Sequence, residues 1–115
     1  MKGAFFLGNR EFELRDMEKR PLAADEVRIR VMACGVCGTD VHIYHGEAGS
    51  AEVTPPVVLG HEYAGIVEEV GADVKGLAPG DHVAVDPNIY CGACTPCRDG
   101  KKQFCEHLQA LGVTR

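Results

Sequence analysis

Four thiols sit close together in "CGACTPCRDGKKQFC", where two, two and seven residues separate Cys91, Cys94, Cys97 and Cys105. A tetrahedral zinc held only by thiolates needs its donors on short, tight turns, and Gly92, Pro96 and Gly100 supply the bends. The spacing therefore predicts a closed structural zinc site. With sulfur in all four positions, such an ion has no place left for water or substrate, so it fixes a loop and does no chemistry. A pair of disulfides and an iron–sulfur cluster are the alternatives. Disulfides are disfavoured in a chain without an export signal, and cluster-binding runs space their cysteines differently.

A second set of reactive groups is more dispersed. "CGTDVHIY" begins at Cys37, and "VLGHEYAG" brings His61 and Glu62. Catalytic zinc mixes Cys with His or carboxylate and keeps one position open. Adjacent residues of an extended chain point to opposite faces, so His61 and Glu62 can share a metal only if the backbone bends there, and Gly60 makes that bend plausible. Taken alone, one cysteine and one distant histidine are more commonly a buried thiol and a satisfied core imidazole. Cys34 forms a C-x-x-C with Cys37, but no thioredoxin-like βαβ pattern surrounds it, and Cys34 reads as buried. His45 and His107 read as surface residues, and Phe104 as packing.

The elements that must hold these groups are mostly strands. "KGAFFLG" and "EFELRDM" read as two strands, the first near a sheet edge. "DEVRIRVMAC" alternates most clearly, with Val27, Ile29, Val31 and Ala33 on one face and Arg28, Arg30 and Met32 on the other. Between residues 35 and 46 glycines bracket a short helix, capped by Thr39 or Asp40 and running through His42 and Tyr44. "GEAGSAEVTPPVVLG" reads as an exposed loop ending in a short buried stretch. "YAGIVEEVG" and "DHVAVD" are strands joined by a turn at Gly76, Pro79 and Gly80.

The bounds on function are broad. The chain has 115 residues, enough for one domain, and a formal net charge of −5. Its longest cationic cluster is Lys101-Lys102, which discounts nucleic acid and anionic membrane as partners. No apolar run approaches the ~20 residues that span a bilayer, and "MKGAFFLGNREFELRD" turns charged too early for a signal peptide, so a cytoplasmic location is expected. No G-x-G-x-x-G follows a strand and opens a helix, so no Rossmann fold is expected within these residues.

In this order, "GVCGTDVHIY", "GHEYAGIVEEVG", "GDHVAV" and "CGACTPCRDGKKQFC" resemble the amino-terminal part of the zinc-containing medium-chain dehydrogenase/reductase family, which includes alcohol, sorbitol and threonine dehydrogenases. The resemblance runs from about Met1 to the "LGVTR" end. It implies a mainly β, GroES-like (chaperonin-10-like) fold, a partly open barrel with short helices and a zinc lobe at about 88–108. By the same resemblance Cys37 and His61 match the catalytic-zinc ligands, and Glu62 matches a direct or alternate ligand. Thr39 matches the hydroxyl that bonds the zinc-bound alkoxide, His42 the end of a proton relay, and Asp40 the carboxylate that orients the zinc histidine. Cys91, Cys94, Cys97 and Cys105 match the structural quartet. His82 stands where the family more often has arginine.

Chemistry is consistent with those roles. Thr39 and His42, three residues apart, share a face of a helical turn, which suits a relay from a substrate oxygen to solvent. Asp40 accepting from the imidazole N–H would fix the metal-binding tautomer. Simpler roles stay open: Thr39 or Asp40 as helix caps, His42 as a solvated side chain, Tyr44 as core or cleft lining. The resemblance further implies NAD or NADP as the hydride acceptor of the parent, an alcohol or polyol as substrate, and a homo-oligomeric parent. The family's dinucleotide-binding domain and one further zinc ligand follow this region. Residues 1–115 are thus expected to be a carboxy-terminally truncated piece of a longer dehydrogenase, inactive alone, whose final Arg115 would suit a trypsin-like cut. A stand-alone zinc-stabilised binding module is the alternative, but it gives no reason for Cys37, Thr39, His42 and His61 to appear in relay order.

Overall fold

The computed structural model describes residues 1–47 and 52–114. Its elements in chain order are β1 (Lys2–Gly8), β2 (Glu11–Asp16), β3 (Val27–Gly35), α1 (Gly38–His45), β4 (Val57–Val58), β5 (Glu62–Val70), β6 (His82–Ala84) and β7 (Asn88–Ile89). A short helix α2 (Thr95–Arg98), a 3-10 turn (Lys102–Phe104) and β8 (Gln109–Ala110) complete it. They form three small antiparallel sheets, ordered β2-β1-β4, β3-β5-β6 and β7-β8. The mostly β reading holds. Of the expected loop after α1, residues 48–51 lie outside the described residues, as does Arg115.

β1 corrects one expectation, because it lies in the middle of its sheet and not near an edge. It pairs with β2 from Lys2↔Asp16 to Gly8↔Glu11, and on its other side Phe5 and Phe6 pair with Val58 and Val57. The hairpin partner is legible from adjacency, whereas β4 is two residues long and lies some fifty positions away. Phe6, 4% exposed, then meets Ile43 of α1 and Val113 near the carboxy end, with Val53, Val57, Leu59 and Ala110 packed around them. This core ties the first strand, the helix and the last turn together.

The second sheet holds the longer ladder. β3 pairs with β5 from Val27↔Val70 to Gly35↔Glu62, with register shifts between Arg28 and Ile29 and between Val31 and Ala33. The first leaves Glu68 as the extra residue on β5; the second leaves Met32 as the extra residue on β3 and breaks the expected alternation there, since a one-residue slip moves side chains to the opposite face. Val31 and Met32 are consequently both exposed, at 51% and 62%. Gly65 of β5 permits a close approach: a Cβ there would lie 2.2 Å from the Arg30 carbonyl oxygen. Val67, two residues on and 2% exposed, is the most deeply buried side chain of this sheet. The ladder ends at Gly35↔Glu62, so it delivers Cys37 and His61 to the same end of the sheet. Among the described residues no helix is long and apolar enough to cross a membrane.

Candidate metal centres

The cysteine lobe is built from turns. Cys94 caps α2, Pro96 occupies its first turn, and Cys97 lies on the helix and is buried. The lobe is framed by β7 and β8, which pair through Asn88↔Ala110 and Ile89↔Gln109. The four sulfurs of Cys91, Cys94, Cys97 and Cys105 all lie within 4.8 Å of one another. Cys91 Sγ and Cys97 Sγ are 4.0 Å apart. Four sulfurs at about 2.3 Å from a tetrahedral zinc would be about 3.8 Å apart, so the quartet has the size and donor set for that ion.

The thiols are electrostatically unequal. Backbone N–H groups of Ala93 and Cys94 donate to Cys91 Sγ at 3.4 and 3.3 Å, and these donors lower its pKa to about 6. Burial, reinforced by the neighbouring Cys94 thiol, pushes Cys97 up to about 12. A cluster that holds one thiolate easily and opposes the next requires a cation before all four can ionise.

The second centre draws its groups from two elements. Cys37 is the N-cap of α1, in extended conformation at φ −113° and ψ 179°. Its N–H donates to Asp40 Oδ2 at 3.0 Å, so the expected cap at Thr39 or Asp40 is corrected: Cys37 is the cap, and Asp40 reaches back to it from the third helical position. Cys37 Sγ lies 3.1 Å from His61 Nε2. Ligand atoms of Cys37, His61 and Glu62 fall within 4.8 Å of one another, and the first two side chains are half-buried while Glu62 is exposed. Tetrahedral zinc at ordinary bond lengths would set sulfur and nitrogen about 3.6 Å apart, close to the observed approach.

The other side of the imidazole gives an independent test of fit. His61 Nδ1 and Asp40 Oδ1 face each other at 3.6 Å, with side chains 15% and 13% exposed, and neither atom has a hydrogen-bond partner. An imidazole whose Nε2 held a cation would carry its proton on Nδ1 and offer it to this carboxylate. Two glycines make the arrangement possible. Gly60 adopts φ +121°, which turns the chain just before His61, and Gly35 leaves room for Glu62, whose Oε2 would be 3.0 Å from a Cβ at that position.

The remaining candidates are less engaged. Thr39 is half-buried in the first turn of α1, and His42 is exposed one turn later. His42 Nδ1 contacts the Glu47 carboxylate, and this partner holds Glu47 below the usual carboxylate range. Glu47 carried no sequence signal beyond lying just after the helix. Tyr44, left between core and cleft, stacks on Phe12 with ring centroids 6.1 Å apart. Cys34 is exposed, not buried, and Phe104 is 66% exposed, so it does not pack as expected. His45, His82 and His107 are exposed. A depression of about 430 Å³ adjoins His61 and Glu62, walled by Tyr63, Ala84 and Pro87. A larger one, about 600 Å³, lies beyond the carboxy end of α1 and is not lined by Cys37, His61 or Glu62.

The chain matches the alcohol dehydrogenase GroES-like domain over residues 23–114. It is similar to the sorbitol dehydrogenase of Bacillus subtilis (strain 168), 40% identical over 114 residues that make up 98% of this chain and 32% of that one. It is also similar to the L-threonine 3-dehydrogenase of Anaeromyxobacter sp. (strain Fw109-5), 44% identical over 91 residues, 78% of this chain and 26% of that one. Among solved structures, one from Sinorhizobium meliloti 1021, named as a zinc-binding dehydrogenase and bound to NADP, aligns with a TM-score of 0.88 and 41% identity. That alignment covers 99% of this chain and 32% of the other. The chain spans about a third or less of the length of these relatives.

Proposed function

The chain belongs to the alcohol dehydrogenase GroES-like domain family of medium-chain dehydrogenases, and from that premise we propose that it is the substrate-oxygen side of an NAD(P)-dependent zinc alcohol or polyol dehydrogenase. The observation that carries the reading is the placement of Cys37 Sγ 3.1 Å from His61 Nε2 with Asp40 behind the same ring. Residues 1–115 form one GroES-like unit in this proposal, with its zinc lobe at about 88–108. The hydride acceptor, NAD or NADP, binds in the part of the parent that this segment does not cover.

Cys37 and His61, with Glu62 as a direct or alternate third donor, would hold a catalytic zinc, and Cys91, Cys94, Cys97 and Cys105 a structural one. When bound at the first centre, zinc supplies Lewis acidity that draws the pKa of an alcohol hydroxyl down toward neutrality. The protein's own groups do the rest. The Thr39 hydroxyl, at the half-buried start of α1, would accept the substrate proton while giving up its own along the relay. His42, exposed at the next turn, hands it to solvent, its Nδ1 already steadied by Glu47. Asp40 fixes the orientation of His61 and, through the Cys37 N–H, that of the thiolate. The substrate is a secondary or primary alcohol, with sorbitol- and threonine-type compounds favoured by the sequence context of both motifs.

In the full-length parent, Thr39→Ala should lower kcat by about 10²–10⁴-fold, whereas Thr39→Ser, which keeps the hydroxyl, should retain most of it. Steady-state kinetics on sorbitol, threonine and ethanol with NAD and NADP would measure this. Equal turnover by the two variants would sink the relay role.

A further inference from the structure

We infer that Gly112 is a positioning residue for His61, acting through Gly60, so that the turn at residues 110–114 sets the geometry of the Cys37–His61–Glu62 centre. The inference rests on reading that centre as a metal site.

Gly60 immediately precedes His61, and its peptide determines where the imidazole is aimed. It is held by two neighbours. The Gly60 N–H donates to the Gly112 carbonyl at 3.0 Å. On the same side, a Cβ placed on Gly112 would lie 1.8 Å from the Gly60 carbonyl oxygen, 2.5 Å from its carbon and 3.2 Å from its nitrogen. Cys34 also closes in, since a Cβ on Gly60 would sit 2.8 Å from Cys34 Sγ. A side chain at Gly112 would meet only backbone atoms, so it cannot be absorbed by rotamer change and must displace backbone. At Gly112 the backbone displaced is the one that carries His61.

The turn that presses on Gly60 is itself anchored. Thr114 Oγ1 accepts from the Ala110 N–H at 2.8 Å, and the Thr114 N–H donates to the Ala110 carbonyl at 3.0 Å. The Leu111 N–H donates to the Pro87 carbonyl at 3.0 Å. Val113, 4% exposed, packs in the core with Ile43, which lies on the helix that begins at Cys37. One turn thus references both halves of the centre: His61 through Gly60, and Cys37 with Asp40 through Ile43. Moving it by a few tenths of an ångström changes the sulfur–nitrogen approach that a metal must bridge.

The test is a titration of the 115-residue chain with Co²⁺ alone, followed by thiolate-to-cobalt charge-transfer absorption, with Cys37→Ser defining the contribution of the second centre. Gly112→Ala should weaken cobalt at that centre by about tenfold or more, as loss of an orienting partner does, and leave the quartet band intact. Gly76→Ala is the control: Gly76 also has positive φ, +82°, but an added Cβ meets nothing within 4 Å, so its cobalt affinity should match the parent chain. Thr114→Ala, a milder lesion of the same turn, should weaken the centre in the same direction by less, and it decides the matter if Gly112→Ala loses the quartet band through misfolding. Unchanged affinity in both turn variants, or an equal loss in Gly76→Ala, overturns the inference while the metal reading stands. Identical spectra for the parent chain and Cys37→Ser overturn both.

Discussion

The two clusters differ less in chemistry than in how far apart their donors lie along the chain. Cys91, Cys94, Cys97 and Cys105 belong to one lobe of consecutive turns, and the backbone N–H groups of Ala93 and Cys94 already stabilise one of the sulfurs. Cys37 and His61 belong to a helix cap and a strand entry that meet only because β3 pairs with β5 and ends its ladder at Gly35↔Glu62. A local site is specified by spacing and can form as soon as its own turns close. A distributed one inherits every error of the scaffold between its donors.

The largest expected effect follows from that contrast. Cys97→Ser removes a buried donor of the lobe, and zinc retained after desalting should fall from near one ion per chain to a trace, measured by atomic emission, because structural zinc binding and folding of its turns are one process. Retention of the ion in this variant would mean that three sulfurs suffice. A smaller effect is expected at the distributed site. Asp40→Ala deletes both the acceptor of the Cys37 N–H and the carboxylate facing His61 Nδ1, and cobalt affinity there should fall about 10–100-fold with the quartet unaffected. The same change should cost α1 about 1 kcal/mol as a lost N-terminal contact, readable in urea unfolding. An affinity unchanged by Asp40→Ala would remove the orienting role.

The smallest effect concerns order within the lobe. In metal-free chain at pH 7, iodoacetamide followed by peptide mapping should label Cys91 first and Cys97 last, since Cys91 ionises at about 6 and Cys97 is pushed up to about 12. The sign is fixed by the direction of each shift. The stability that backbone donors lend the Cys91 thiolate is present above the ordinary thiol value of 9.0 and disappears as pH falls through about 6. For Cys97 the contribution is present below 9.0 and disappears as pH rises through about 12. Labelling of Cys97 ahead of Cys91 would contradict the asymmetry.

The same division between local and distributed explains what could be read from residue order alone. The quartet was legible because its spacing encodes its turns, and β5 because "YAGIVEEVG" lies between turn residues. α1 was legible as a helix, but its cap was misplaced: cysteine carries a weak capping preference, and the side chain that satisfies the cap, Asp40, acts from inside the helix. The central place of β1 was hidden by a partner of two residues, Val57–Val58, too short to show any period. The bulge of β3 at Met32 cannot be seen in its alternating sequence, because it is set by the register against β5. The grip of Gly112 on Gly60 leaves no local trace, since a glycine in a turn is already explained by the turn.

The pairing of β7 with β8 has a consequence for how the chain could change. Because Asn88↔Ala110 and Ile89↔Gln109 bring the two ends of the lobe side by side, the stretch between them leaves and rejoins the domain at nearly one point. Such an excursion is a cassette: it can lengthen, shorten or be exchanged for a tight hairpin at little entropic cost, while the strands at its base keep their places.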